Sequence, residues 1–147
     1  MSKKKETKKR KKADYVFVVG KRKTAVARAK VVKGTGRIII NSKPLEVWGT
    51  EVSRMFIKEP LILAGDWANK LDFYVNVRGG GAFGQAEAIR MAIAKGIIEF
   101  SKDEKIKQTF LEYDRNLLVY DPRRTEPHKA KGASKRGARK HKQRSKR

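Results

Sequence analysis

Cysteine is absent from the 147-residue chain, so disulfides, thiolate zinc sites and Cys nucleophiles are excluded. Long apolar runs are absent as well. Nothing approaches the roughly 20 residues of a membrane-spanning helix, and Tyr15–Val19, behind the charged start, is too short for the core of a signal peptide. The expectation is a soluble, cytoplasmic protein with no membrane partner. Acids are scarce, at 15 Asp+Glu against 38 Lys+Arg, and the only histidines, His128 and His141, lie in a basic C-terminal stretch that suits phosphate contacts better than proton transfer. Asp14, Asp66, Asp72, Asp114 and Asp121 are scattered without metal-ligand grouping, and no G-x-x-x-x-G-K-[ST] loop or zinc spacing occurs. These gaps leave little from which to assemble an active site: no catalytic residues, no metal and no cofactor are expected.

What the chain has in excess is positive charge, a net +23. Such an excess repels itself in a compact state and implies a polyanionic partner. It is unevenly placed: residues 1–12 hold eight Lys/Arg against Glu6, residues 122–147 hold twelve against Glu126, and residues 13–121 carry only +5. The expected organisation is a basic arm over 1–12 that is disordered alone, a globular domain over 13–121, and an extended basic tail over 122–147. Between Arg123 and Arg147 there is no Leu, Ile, Val, Phe or Trp. Basic membrane anchors carry an apolar face, so the tail points to nucleic acid instead.

Within the domain, Tyr15–Val19 is a continuous β-favouring run that predicts a buried strand, interrupted by Gly20 and followed by a basic turn at Lys21-Arg22-Lys23. Ala25, Ala27, Ala29 and Val31 alternate with Arg28 and Lys30, which predicts a half-buried strand with a basic outer face. Gly34-Thr35-Gly36 marks a turn before a returning strand, Arg37–Asn41, and Asn41–Pro44 marks a second turn. Glu51–Ala64 has mixed helical character, with Pro60 expected to end or kink it. Leu71, Phe73, Val75 and Val77 alternate inward against Asp72, Tyr74 and Asn76. Ala86, Ile89, Ile93, Ile97 and Phe100 form one helical stripe, with Arg90 elsewhere on the wheel. A shorter helix is expected over Asp103–Leu111 and an edge strand over Leu117–Tyr120. The sum is an α+β, two-layer sandwich of three or four mostly antiparallel strands with two or three helices on one face.

Gly79–Gly84 satisfies G-x-G-x-x-G between a strand and a helix. A dinucleotide site nonetheless needs the first strand of a parallel sheet, and this segment lies past mid-chain after antiparallel patterning. Two readings remain for Gly79, Gly80 and Gly81: a backbone that a phosphate approaches closely at a helix start, or a plain tight turn. The basic clusters carry more. Lys21, Arg22, Lys23, Arg28 and Lys30 suit one patch on a sheet edge and face. The tail interleaves Arg123, Arg124, Lys129, Lys131, Lys135, Arg136, Arg139, Lys140, Lys142, Arg144, Lys146 and Arg147 with Gly132, Ala133, Gly137 and Ala138, slim enough to thread a crowded groove. It lacks aromatics, so backbone and shape recognition of folded RNA fits it better than base stacking. From the residues alone, a nucleotide-dependent enzyme and a DNA compactor are the competing classes.

Four blocks, in order, resemble one family: Gly20–Arg28; Gly34–Gly36 with Ile38–Asn41; Gly79–Arg90 continuing to Ala94; and Asp121–Glu126 with the ending Ser145-Lys146-Arg147. They are similar to the S-nine family of small-subunit ribosomal proteins, and Pro127-His128 resembles its archaeal and eukaryotic branch. The resemblance implies a ribosomal protein S5 domain 2-like fold with a left-handed β-α-β crossover. It implies binding to the head (3′ major) domain of small-subunit ribosomal RNA, with neighbouring head proteins as further partners. It also implies a tail whose last residues, Ser145, Lys146 and Arg147, approach P-site transfer RNA. Residues carried over as RNA contacts are Lys21, Arg22, Lys23, Arg28, Arg78, Gly79, Gly80, Gly81, Arg123, Arg124, Lys129, Arg136, Arg139 and Lys140.

Overall fold

Alternation of small and branched apolar residues builds the sheet. In the computed structural model, which describes residues 15–125, the strands are β1 (Tyr15–Arg22), β2 (Ala25–Lys33), β3 (Ile38–Ile40), β4 (Lys43–Pro44) and β5 (Leu71–Arg78). They form one sheet in the order β1-β2-β5-β3-β4. Three α-helices accompany it: α1 (Glu51–Ala64), α2 (Ala82–Ser101) and α3 (Glu104–Tyr113). The expected α+β class holds, with more strands than expected and one parallel pair. β2 pairs antiparallel with both β1 and β5, β4 pairs antiparallel with β3, and β3 runs parallel to β5. β3 therefore does return relative to β2, but β5 lies between them. A parallel pair needs a long crossover, which α1 supplies.

One face of the sheet is buried. Ala25, Ala27, Ala29 and Val31 of β2, Leu71, Phe73, Val75 and Val77 of β5, and Ile38 and Ile40 of β3 all point into the core. Phe73 is fully buried, worth roughly 2–3 kcal/mol of apolar transfer. α2 lies across this face, and its burial exceeds the expected stripe. Ala88, Met91, Ala92 and Ala94 are buried along with Ala86, Ile89, Ile93 and Ile97, because the sheet covers one side of α2 and α1 covers another. Two glycines set the spacing. A Cβ on Gly20 would overlap the Ala88 carbonyl and lie 2.7 Å from the Ala92 nitrogen, and one on Gly96 would lie 2.6 Å from Val31 Cγ2. Gly20 is thus an interior residue of β1, where the helix backbone nearly touches the strand, rather than an interruption.

Four other expectations need correction. Tyr15–Val19 is not buried: Tyr15, Phe17 and Val19 face out and are exposed, because among the described residues no second layer covers that side. Pro60, expected to end or kink α1, does not end it; its ring is buried and the helix runs on to Ala64, so packing outweighs the missing hydrogen bond. Leu117–Tyr120 forms no strand; Arg115–Leu117 is a 3-10 turn held by Asp114, whose Oδ1 accepts from the Asn116 amide at 2.8 Å. Asp72 has outward parity yet is 3% exposed, since it accepts from the amides of Thr35 and Arg37 at 2.8 and 2.9 Å. The basic arm over 1–12 and the tail beyond Thr125 lie outside the described residues.

Gly20→Ala is expected to destabilise the domain by about 3 kcal/mol, because the added methyl meets helix backbone rather than a yielding side chain. A urea unfolding midpoint unchanged by this substitution would contradict the packing described.

Candidate nucleic-acid interface

β1, β2 and β5 place every second side chain on the face away from the helices, and the register aligns these in rows. Lys21 lies opposite Val26, which lies opposite Arg78. Val19, Arg28 and Asn76 form the next row, and Phe17, Lys30 and Tyr74 the one after. Lys21, Arg28, Lys30 and Arg78 are exposed there and make no ion pair among the described residues. Among the described residues the one carboxylate of that face is Asp72. Burial pushes its carboxyl up, but the amides of Arg37 and Thr35 and the Arg37 guanidinium outweigh this and hold it below the usual range. The face is therefore uniformly cationic toward solvent.

The Gly79–Gly81 turn sits at one end of this face. Gly79 and Gly80 have φ of +77° and +70°, and Cβ atoms there would lie 2.6 Å from the Thr24 carbonyl and 3.0 Å from Ala25 Cβ. The tight-turn reading thus accounts for these two: they let the turn close on the β1–β2 hairpin. Gly81 differs, having open space around it and serving as N-cap of α2 with no side-chain cap and no acid in the first helical turn. Lys23, exposed at φ +52°, occupies the hairpin turn against which Gly79 packs. Cations and the positive end of a 20-residue helix are brought together here, which favours an anion.

Not every predicted contact faces outward. Arg22 turns inward: its Nε donates to Glu87 Oε2 at 2.6 Å, its Nη1 ion-pairs with Asp121 at 3.0 Å, and its side chain is 18% exposed. Arg123 forks onto the same Asp121, with Nη2 donating at 2.7 Å and Nε at 2.9 Å, while its amide donates to Oδ1 at 3.0 Å. These hydrogen bonds from Arg123 pull the Asp121 carboxyl down to about 2. Arg124 is exposed. The cluster anchors the root of the tail to β1 and α2. Beside it Arg90 is buried, pairing with Glu59 of α1 at 2.6 Å and Asp114 at 2.7 Å. Lys129, Arg136, Arg139, Lys140, Ser145, Lys146 and Arg147 lie outside the described residues.

Sequence reasoning missed the role of Asp121 and Glu87 as anchors, which no local spacing reveals, and the outward Tyr15 and Phe17, whereas the outward Tyr74 follows from the alternation of β5. For β1 the signal was available: Tyr15, Phe17, Val19 and Lys21 share one parity. A cavity of about 790 Å³ lies elsewhere, between the β3–β4 hairpin and the end of α1, lined by Leu45, Leu61 and Ile62 with opposed charges at Lys58, Glu46 and Asp66. Among the described residues no group of three or more His, Cys, Asp or Glu is placed to hold a metal, and no helix is long and apolar enough to cross a membrane.

Because the folded-state pKa of Asp121 is depressed, its contribution is complete above the ordinary value of 3.8 and is lost as pH falls through about 2. Asp121→Asn is expected to lower the thermal midpoint at neutral pH. The gap to the parent protein should narrow between about pH 4 and pH 2, and a gap independent of pH would contradict the anchoring.

Comparison with known proteins bears on this site. The family described as ribosomal protein S9/S16 matches residues 20–147. Small ribosomal subunit protein uS9 of Methanococcus vannielii is 50% identical over 120 residues, covering 82% of this chain and 90% of the relative. The protein of the same name from Desulfurococcus amylolyticus is 50% identical, covering 80% and 84%. That from Pyrobaculum aerophilum is 51% identical, covering 80% and 82%. All three are archaeal, in keeping with the resemblance at Pro127-His128. The matched region takes in the hairpin turn, the glycine turn and the anchored tail root, and the chain belongs to the ribosomal protein S9/S16 family.

Proposed function

We propose that the chain is a structural constituent of the small ribosomal subunit that binds the head (3′ major) domain of its RNA. The observation that carries this reading is the cationic outward face of β1, β2 and β5, whose one carboxylate among the described residues is buried and neutralised by Arg37. Family membership makes the chain a non-enzymatic ribosomal protein. In this reading Lys21, Lys23, Arg28 and Arg78 meet phosphates directly, and Gly81 admits a phosphate to the start of α2. Arg22 and Arg123 act at one remove, by fixing through Asp121 the point from which the tail leaves the domain.

The tail reading rests on the sequence. Arg124, Lys129, Arg136, Arg139 and Lys140 bind ribosomal RNA along its backbone, and Ser145, Lys146 and Arg147 approach P-site transfer RNA. Domain and tail divide the work, one docking on RNA and the other threading into it. The remaining partners are neighbouring head proteins, and the location is the cytoplasmic ribosome. The sheet order, with β5 between β2 and β3 and a helical crossover joining the parallel pair, supports the ribosomal protein S5 domain 2-like fold; the left-handed sense of that crossover rests on the family resemblance.

Sedimentation of lysate at moderate and at high salt tests the assignment. The protein should travel with the small subunit in both runs; recovery at the top of the gradient in both would overturn the reading. Deleting Pro127–Arg147 should leave the domain folded and flatten the dependence of log affinity on log salt, by roughly 0.7–0.9 for each lost phosphate contact. An unchanged slope would show that the tail makes none. Binding to duplex DNA as tight as to RNA at matched salt would favour a DNA compactor instead.

A further inference from the structure

Phosphate binding does not account for the rings on the outward face of the sheet. Phe17 is 68% exposed, and Tyr15 and Tyr74 are exposed beside it. Rings of this size are ordinarily covered, and three on one small face need a reason. They are interleaved with the cations. Phe17 lies directly opposite Lys30 on β2, and Lys30 directly opposite Tyr74 on β5. Adjacent strands are ~4.8 Å apart, so the two rings flank Lys30 at a separation of roughly 10 Å. Tyr15 stands edge-on to Phe17, with ring centroids 5.1 Å apart, and Lys30 Nζ lies 4.8 Å from the Tyr15 ring centroid. In the next row Arg28 lies between Val19 and Asn76.

We infer that the outward face of β1, β2 and β5 is a stacking platform for unpaired RNA nucleotides, with bases on Phe17 and Tyr74 and phosphates on Lys30 and Arg28. The inference rests on the RNA-binding reading above and deepens it, assigning single-stranded RNA to a face for which the phosphate contacts alone require only a polyanion. The alternating chemistry selects this occupant. A nucleotide presents a flat apolar ring and a charge within a few ångströms of each other, as do the rows of this face. Base–aromatic stacking tolerates any sequence, and the cations add the backbone term. A protein partner burying the same area would have to desolvate Lys30 and Arg28 at the centre of its interface. The opposed chemistry of the tail follows: cations without rings suit folded helices, and cations with rings suit unpaired segments.

The test uses the full chain and two labelled RNAs of equal length, one unstructured and one a perfect hairpin, with affinities read by anisotropy at matched salt. Phe17→Leu and Tyr74→Leu keep apolar side chains but remove the stacking surface. Each should lower the ratio of single-strand to hairpin affinity by about 5- to 50-fold. In parallel, RNA carrying a photoreactive uridine is cross-linked to the unaltered protein, and adducts should map to residues 15–21 and 71–78. An unchanged ratio, with adducts confined to other segments, would overturn the platform while leaving the ribosomal reading intact. Failure of the parent chain to bind either RNA would remove that reading itself. If reconstitution shows another small-subunit protein, and not RNA, protecting Phe17 and Tyr74 from modification, the occupant is a protein and the inference is wrong.

Discussion

The close approach of α2 to the sheet is the constraint on which the other features depend. It exists because Gly20 and Gly96 offer no side chain where strand and helix meet, and because β2 presents Ala25, Ala27 and Ala29 toward the helix. Sheet and helix so close together bury apolar area with little volume, which suits a chain whose middle segment must form a core from about a hundred residues. The same closeness determines where the chain turns. Gly79 and Gly80 adopt positive φ to bring β5 round into α2 against the β1–β2 hairpin. Lys23, the glycine turn and the start of α2 therefore share one corner of the molecule.

A division of labour among the charges follows. Within the described domain five acids pair with arginine: Glu87 and Asp121 with Arg22, Asp72 with Arg37, and Glu59 and Asp114 with Arg90. Planar guanidinium groups suit partly buried carboxylates, since they donate in a fork and tolerate desolvation better than ammonium groups. The cations left facing solvent at the interface are three lysines, Lys21, Lys23 and Lys30, together with Arg28 and Arg78. Several arginines of the domain are thus engaged in internal pairs, and lysine supplies much of its outward charge.

Much of this was legible in the sequence where a single period governs. β2 and β5 alternate cleanly, α2 carries its stripe, and both were read correctly from spacing alone. Errors came where tertiary context decides. Tyr15–Val19 is rich enough in apolar residues to read as buried, but burial depends on whether a second layer covers the face, and the one local sign against it was that Tyr15, Phe17 and Val19 share a parity with Lys21. Pro60 interrupts a helix in isolation yet is tolerated where its ring is packed. Asp72 has the parity of a surface residue and is drawn under Arg37 by two amides from a distant turn. For the interface, the cations were legible as composition, whereas their separation into outward-facing and internally paired sets required knowing which strand lies beside which.

The uncovered edge of β1 has a consequence for the protein before it reaches its partner. An edge strand bearing Tyr15, Phe17 and Val19 is a template for pairing with another copy, and among the described residues no bulge or proline guards it, only the Lys95 ammonium that donates to the Val19 carbonyl at 3.5 Å. What keeps free copies apart is mutual repulsion, acting over a Debye length that shrinks from about 30 Å at 0.01 M salt to about 8 Å in the cell. Solubility of the unbound chain is thus colloidal rather than structural in origin. It is weaker at physiological ionic strength than in dilute salt, and prompt assembly is the alternative to self-association there.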